Sequence, residues 1–172
     1  MKKITILFIA VFFAALSFAQ DAWKTIQVME KVTAQMPVTP TTENRGGQNM
    51  QVCKSADSSV LMLMSIDFTP FGLDENMLAT LVPTQEFKDQ FKGGMVGKMA
   101  NSTILDESYS MLQDKYHVYN YTIEMAKDGK KIKMYLMTIF YKSYSVALYY
   151  TEGDKANKAE KDKFFSSVKI AD

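Results

Sequence analysis

From Trp23 onward the chain alternates between apolar and polar positions in short runs, takes on a helical period between Asp74 and Ala100, and returns to alternation after Asn101. Trp23 to Met29 and Lys31 to Met36 read as two short strands, with Thr25, Ile26, Val28, Val32 and Thr33 supplying the β-branched residues that suit a pleated surface. Pro37 ends the second, because proline has no N–H to give a ladder. The segment from Pro37 to Asn49 contains two prolines, adjacent glycines and few apolar residues, and this predicts a surface loop. Met50 to Ala56 and Ser59 to Phe68 are predicted strands. In the second, Val60, Met62, Met64, Ile66 and Phe68 share one face and Leu61 and Leu63 the other, the pattern of an inner strand.

Thr69-Pro70-Phe71-Gly72 breaks the alternation, and Asp74 is placed to cap a helix whose first turn carries Glu75. Pro83 interrupts the helical stretch and Thr84 can cap a second segment. There Phe87, Phe91, Met95 and Met99 recur every four residues as one apolar stripe, the mark of a core-facing helix.

Strands are predicted again over Thr103 to Met111, Tyr116 to Ala126, Lys130 to Tyr141 and Ser145 to Thr151. Asp128-Gly129 is a two-residue hairpin signal. A hairpin closed there pairs Lys127 with Lys130, Glu124 with Lys133, Val118 with Ile139 and Tyr116 with Tyr141. Both of its faces are substantially apolar and must be covered. Asp154 to Ser166 supplies a further helix with Asp154 as its cap, and Val168 to Ile170 a short strand that can return to the sheet. The expected fold is α+β, an antiparallel sheet flanked by helices on both faces.

The first residues change the picture of where such a domain works. Lys2 and Lys3 precede an apolar run from Ile4 to Phe18, and Ser17 and Ala19 occupy the small-residue positions before Gln20. This is the layout of a secretory signal peptide cleaved between Ala19 and Gln20. The run is shorter than the roughly 20 apolar residues of a spanning helix, and no second long one follows, so no transmembrane segment is expected in the mature chain. Gln20 stands where a bacterial lipoprotein would carry its acylated cysteine, so the expectation is an exported protein, periplasmic or extracellular, without a lipid anchor. Residues 1–19 form the signal peptide and 20–172 one domain, long enough to bury a core without disulfides. The lone Cys53 is expected to be buried in its strand.

Removing residues 1–19 takes two lysines from 20 basic residues set against 19 acidic ones, leaving a mature charge of about −1. A near-neutral surface with no basic stripe among aromatics gives no case for nucleic acid.

Val32-Thr33-Ala34-Gln35-Met36-Pro37 with Pro40 after it, a central helix, a strand meander and a closing Phe164-Phe165-Ser166-Ser167-Val168-Lys169-Ile170 together resemble the PsbP-like family, which includes the photosystem PsbP proteins and the exported bacterial protein DcrB. The resemblance covers most of the mature chain and rests on element order and two end motifs. It implies an α/β/α sandwich used as an accessory or binding domain. It carries no cofactor and no ligand set onto residues of this chain, and fold alone does not give function.

Candidate chemistry is sparse. His117 is the only histidine, so a multi-histidine zinc site and an HExxH motif are both excluded. A Cys53–His117 pair has no supporting motif, and Gly46-Gly47 and Gly93-Gly94 lack the strand, helix and lysine of a phosphate loop. Asp74-Glu75 and Asp106-Glu107 do not form an evident acid–base pair. Met62 and Met64 share a face, and soft thioethers suit Cu(I), with Met50, Met134 or Met137 as a third ligand; the simpler account is gap-filling core. The leading expectation is therefore a non-enzymatic accessory domain, without cofactor or metal, contacting a protein partner. Its contact surface would be the Thr39 to Asn49 loop, with Arg45, and the Thr69 to Leu73 turn, with Phe71. The plainer alternative there is a solvated loop and a buried Phe71. A second expectation is carriage of a lipid or small hydrophobe, which needs a cavity of about 300 Å³ or more. A hydrolase would need His117 or two acids gathered in a concave site.

Overall fold

The computed structural model describes residues 23–171 apart from 46, 97, 98, 100 and 128. Ala19 and Gln20 lie outside the described residues, as does the whole proposed signal peptide. Two antiparallel sheets are built from β1 (Lys24–Met29), β2 (Val32–Met36), β3 (Thr41–Arg45), β4 (Gln48–Lys54), β5 (Val60–Asp67), β6 (Ser102–Leu112), β7 (Tyr116–Lys127), β8 (Lys130–Tyr141), β9 (Tyr144–Thr151) and β10 (Lys169–Ile170). The larger has the order β3-β4-β5-β9-β8-β7-β6, and the smaller β1-β2-β10. The helices are α1 (Glu75–Leu81), α2 (Gln85–Val96) and α3 (Lys158–Ser166).

Local chemistry sets most of these boundaries. The Asp74 carboxylate accepts the Met77 N–H at 2.8 Å and caps α1, and the Thr84 hydroxyl accepts the Phe87 N–H at 3.2 Å at the start of α2. The β7–β8 hairpin has the expected register, including Lys127 with Lys130, Glu124 with Lys133 and Val118 with Ile139. Glu124 nevertheless forms its ion pair with Lys131, at 2.8 Å, across the diagonal rather than with the residue directly opposite.

Three expectations need correction. Pro37 to Asn49 is not a loop throughout: Thr41–Arg45 is β3, which pairs with β4 alone. An edge strand needs no apolar face, and Asn44 to Asn49 (3.0 Å) and Thr41 to the Val52 carbonyl (3.2 Å) support it with polar contacts instead. The last helix begins at Lys158 under an Asn157 cap, not at Asp154, because the Asn157 side chain accepts the Ala159 N–H at 3.0 Å. The central helical stretch ends at Val96, short of Ala100.

The large sheet is apolar on both faces, and its two covers differ. On one face α1 and α2 lie over Tyr119, Tyr121, Leu136 and Phe140. The other face, with Leu61, Leu63, Ile139, Val146 and Leu148, packs with Val32, Ala34 and Met36 of β2 and Phe164 of α3. That second cover is largely a small β-sheet, where helices were expected on both faces. The alternating β1 and β2 supply it, and β10 completes this small sheet rather than the large one.

A polar pin joins the β4–β5 turn to the start of α3. The Asp57 carboxylate accepts the Ser59 N–H at 2.8 Å and the Asn157 N–H at 2.9 Å, and it also accepts the Ser55 hydroxyl. The Tyr150 hydroxyl donates to Ser59 Oγ at 2.9 Å, and the Gly153 N–H donates to the same oxygen at 3.0 Å. Burial opposes ionisation of Asp57, yet these hydrogen bonds prevail and hold its carboxyl below the ordinary 3.8.

Candidate functional site: a methionine-lined groove

Antiparallel pairing brings one face of four neighbouring strands into rows. Met50 of β4 lies opposite Met64 of β5, and Val52 opposite Met62. Met62 is in turn opposite Tyr149 of β9, and Thr151 of β9 opposite Met134 of β8. The helices do not reach these rows. Phe87 and Phe91 of α2 sit edge-on to Phe140, with ring centroids 5.7 and 5.5 Å apart, near the other end of the same face. The Tyr119 hydroxyl donates to the Val82 carbonyl there and ties α1 to the sheet.

What the helices leave open is a groove of about 670 Å³, lined by Met50, Met62, Met64, Met99, Met125 and Met134 with Val52, Ile132 and Tyr149. Among the described residues, none from α1 or α2 lines it. Met50, Met64 and Met134 are almost wholly buried, so their side chains form its floor. Methionine makes an adaptable apolar surface because its unbranched thioether has three soft torsions. The chemistry available is dispersion and burial of an apolar guest.

The same groove gathers the methionines considered as soft-metal ligands, Met62 and Met64 with Met50 and Met134. Met137 is directed to the opposite core. Among the described residues, no group of three His, Cys, Asp or Glu side chains is placed to hold a metal ion.

Phe71 lies at the tip of a 3-10 turn (Thr69–Phe71), and 72% of its surface is exposed. Asp67 accepts the Thr69 N–H at 2.9 Å and Gly72, at φ 74°, donates to the Thr69 carbonyl, so the turn presents Phe71 outward from a fixed base. The plainer expectation of a buried Phe71 is therefore overturned. Arg45 ends β3 opposite Gln48, whose residue lines the groove; the Arg45 side chain is outside the described structure.

His117 is half-buried near the start of β7, in a recess of about 150 Å³ with Glu75, Lys115 and Lys142. Its strand partner is Met111, and Cys53 is buried in the opposite core. Cys53 and His117 are thus on different sides of the sheet. Burial pushes the Cys53 thiol up to about 11, opposed by a backbone hydrogen bond at Val38 and assisted by Glu160. The paired acids have ordinary partners: Asp74 caps α1 and Glu107 bonds Lys92 at 3.0 Å.

The sequence reading did not bring Met99, Met125 and Tyr149 to this site: Met99 reads as the last member of the helical stripe, and the weak alternation around Met125 and Tyr149 is placed beside Met62 only by the strand order β4-β5-β9-β8-β7.

No protein-family model and no curated protein sequence matches the chain. Solved structures do. The cyanobacterial PsbP protein CyanoP from Synechocystis sp. PCC 6803 superposes with a TM-score of 0.60 at 8% identity, covering 90% of this chain and 95% of that one. A protein of unknown function from Pseudomonas aeruginosa gives 0.51 at 7% identity, with 84% and 92% covered. At these identities the likeness is one of fold, and it agrees with the element order read from the sequence: the chain has a PsbP-like fold.

Proposed function

We propose that the chain is an exported, non-enzymatic accessory domain that holds a small apolar ligand in the methionine groove. The groove itself carries the reading. Its volume of about 670 Å³ exceeds the size set for a carrier, and its floor is thioether and aliphatic surface on rigid strands. Export is supported by Lys2, Lys3, the apolar run and the Ala19–Gln20 junction. Among the described residues no helix is long and apolar enough to cross a membrane.

Native mass spectrometry of the protein purified from its own cell envelope tests the proposal. A bound apolar mass, displaced by the neutral probe N-phenyl-1-naphthylamine and lost in Met62→Glu, is the expected result. Probe binding unchanged by Met62→Glu would place the guest elsewhere and refute the groove.

A second reading, contact with a protein partner, is favoured by Phe71 alone. A phenyl ring 72% exposed on a braced turn suits insertion into a partner's pocket. Phe71→Ser should leave the melting temperature within about 2 °C, as surface changes usually do, while reducing partner capture. Unreduced capture removes Phe71 from the reading. Deleting residues 41–48 is a poor test of the neighbouring segment, since it would remove the edge strand β3.

A further inference from the structure

The groove does not end in apolar surface. Along β4 the residues on its face run Met50, Val52, Lys54, and along β8 they run Met134, Ile132, Lys130. Lys54 lies opposite Val60, which lies opposite Thr151, which lies opposite Met134, so these lysines stand at the same end of the groove. A second depression of about 650 Å³ opens there and shares Val60, Ile132 and Thr151 with the groove. Its lining includes Lys54, Lys130, Lys131 and Lys133.

Three acids also line that mouth: Glu124, Glu152 and Asp154. Glu124 is taken up by Lys131 at 2.8 Å, and Glu152 accepts the Tyr135 hydroxyl at 2.7 Å. Glu43, on the groove's side of β3, lies opposite Met50, two rows from Lys54 and away from the mouth. Asp154 is exposed at the rim, and the four lysines set against three acids leave the mouth a net charge of about +1, with Lys54 and Lys130 exposed on the groove's own face.

We propose that the natural guest is a single-chain amphiphile with a carboxylate head, its tail along the methionines and its head between Lys54 and Lys130. Charge complementarity selects an anion, and the form of the donors selects a monoanion. Two lysine point charges on separate strands lack the arginine fork or helix N-terminus that a phosphate site exploits. The trough favours a long alkyl tail, because each methylene withdrawn from water strengthens binding. This rests on the groove reading above and adds the ligand's class to it.

Calorimetric titration of the exported protein with palmitate, methyl palmitate and acetate tests the proposal. Palmitate is expected to bind about tenfold more tightly than its ester, the scale of one charge-assisted contact, and acetate not measurably. Lys54→Gln with Lys130→Gln should abolish that tenfold preference and leave the ester's affinity unchanged. Lys54→Arg with Lys130→Arg should restore it. Equal affinity for acid and ester, or a preference that survives the glutamine variants, overturns the carboxylate assignment and leaves the groove standing. Failure of both acid and ester to bind overturns the groove itself.

Discussion

Replacing Gly153 by alanine tests how closely two turns of this fold approach each other. A Cβ at Gly153 would collide with backbone atoms of Asp57, Ser58 and Ser59. None of these can rotate away as a side-chain tip does, and the segment is fixed by the Asp57 hydrogen bonds to Ser59 and Asn157. Overpacking of this kind costs about 1–3 kcal/mol. Drawing the chains apart also stretches the 3.0 Å bond from the Gly153 N–H to Ser59 Oγ, a contact worth about 1 kcal/mol. The alanine's narrower unfolded ensemble offsets about 0.4–1 kcal/mol. The net loss should be about 2 kcal/mol, lowering a urea midpoint by about 1 M at an ordinary m-value. Gly93→Ala and Gly94→Ala make the same chemical change within α2, where nothing lies within 4 Å, and each should stabilise by about 0.5–1 kcal/mol. A Gly153→Ala midpoint within about 0.2 M of the parent would show that the two backbones do not meet as described.

Other outcomes follow from burial and charge. Cys53, buried with its thiol pushed up to about 11, should resist a thiol reagent such as dithiobis-nitrobenzoate at pH 8 and react fully once the chain is unfolded in guanidinium; rapid native labelling would contradict its burial. Asp57 has a folded pKa below its unfolded value, so its contribution to stability is present above about pH 4 and is lost as pH falls through the folded value. Stability curves of Asp57→Asn should therefore converge on the parent's at low pH, and a constant gap at every pH would refute the linkage. Phe164, fully buried between α3 and β2, should cost about 3–5 kcal/mol on truncation to alanine, read as a large fall in the denaturation midpoint.

Most of the fold was legible because its signals are local. Asp74, Pro83 and Thr84 mark the two central helices, and Asp128-Gly129 fixes a hairpin whose pairing held from Val118–Ile139 to Lys127–Lys130. Features decided by distant partners were not. Thr41–Arg45 has a loop's composition and becomes a strand because β4 offers it an edge. Asn157 rather than Asp154 caps α3, where Asp57, 100 residues earlier in the chain, holds its N–H. Met62 and Met64 could be placed on one face from alternation alone, but Met125, Met134 and Tyr149 join them only through the order of the sheet. The apolar trough was thus half visible, and its lysine mouth was not.

The position of β2 between β1 and β10 governs when this protein can finish folding. Val32 and Thr33 pair with Ile170 and Lys169, the Ala171 N–H donates to the Lys31 carbonyl at 2.9 Å, and the Gln35 N–H donates to the Ser167 hydroxyl oxygen at 2.8 Å, across a sequence separation of 132. A nascent chain can form the meander early, since its hairpins are short-range contacts that close rapidly. Its second cover lacks its last strand until β10, far from β2 in sequence, has been made and docks. Through that interval Val32, Ala34 and Met36 lack their full burial, and the incomplete chain exposes apolar surface of the kind that chaperones hold.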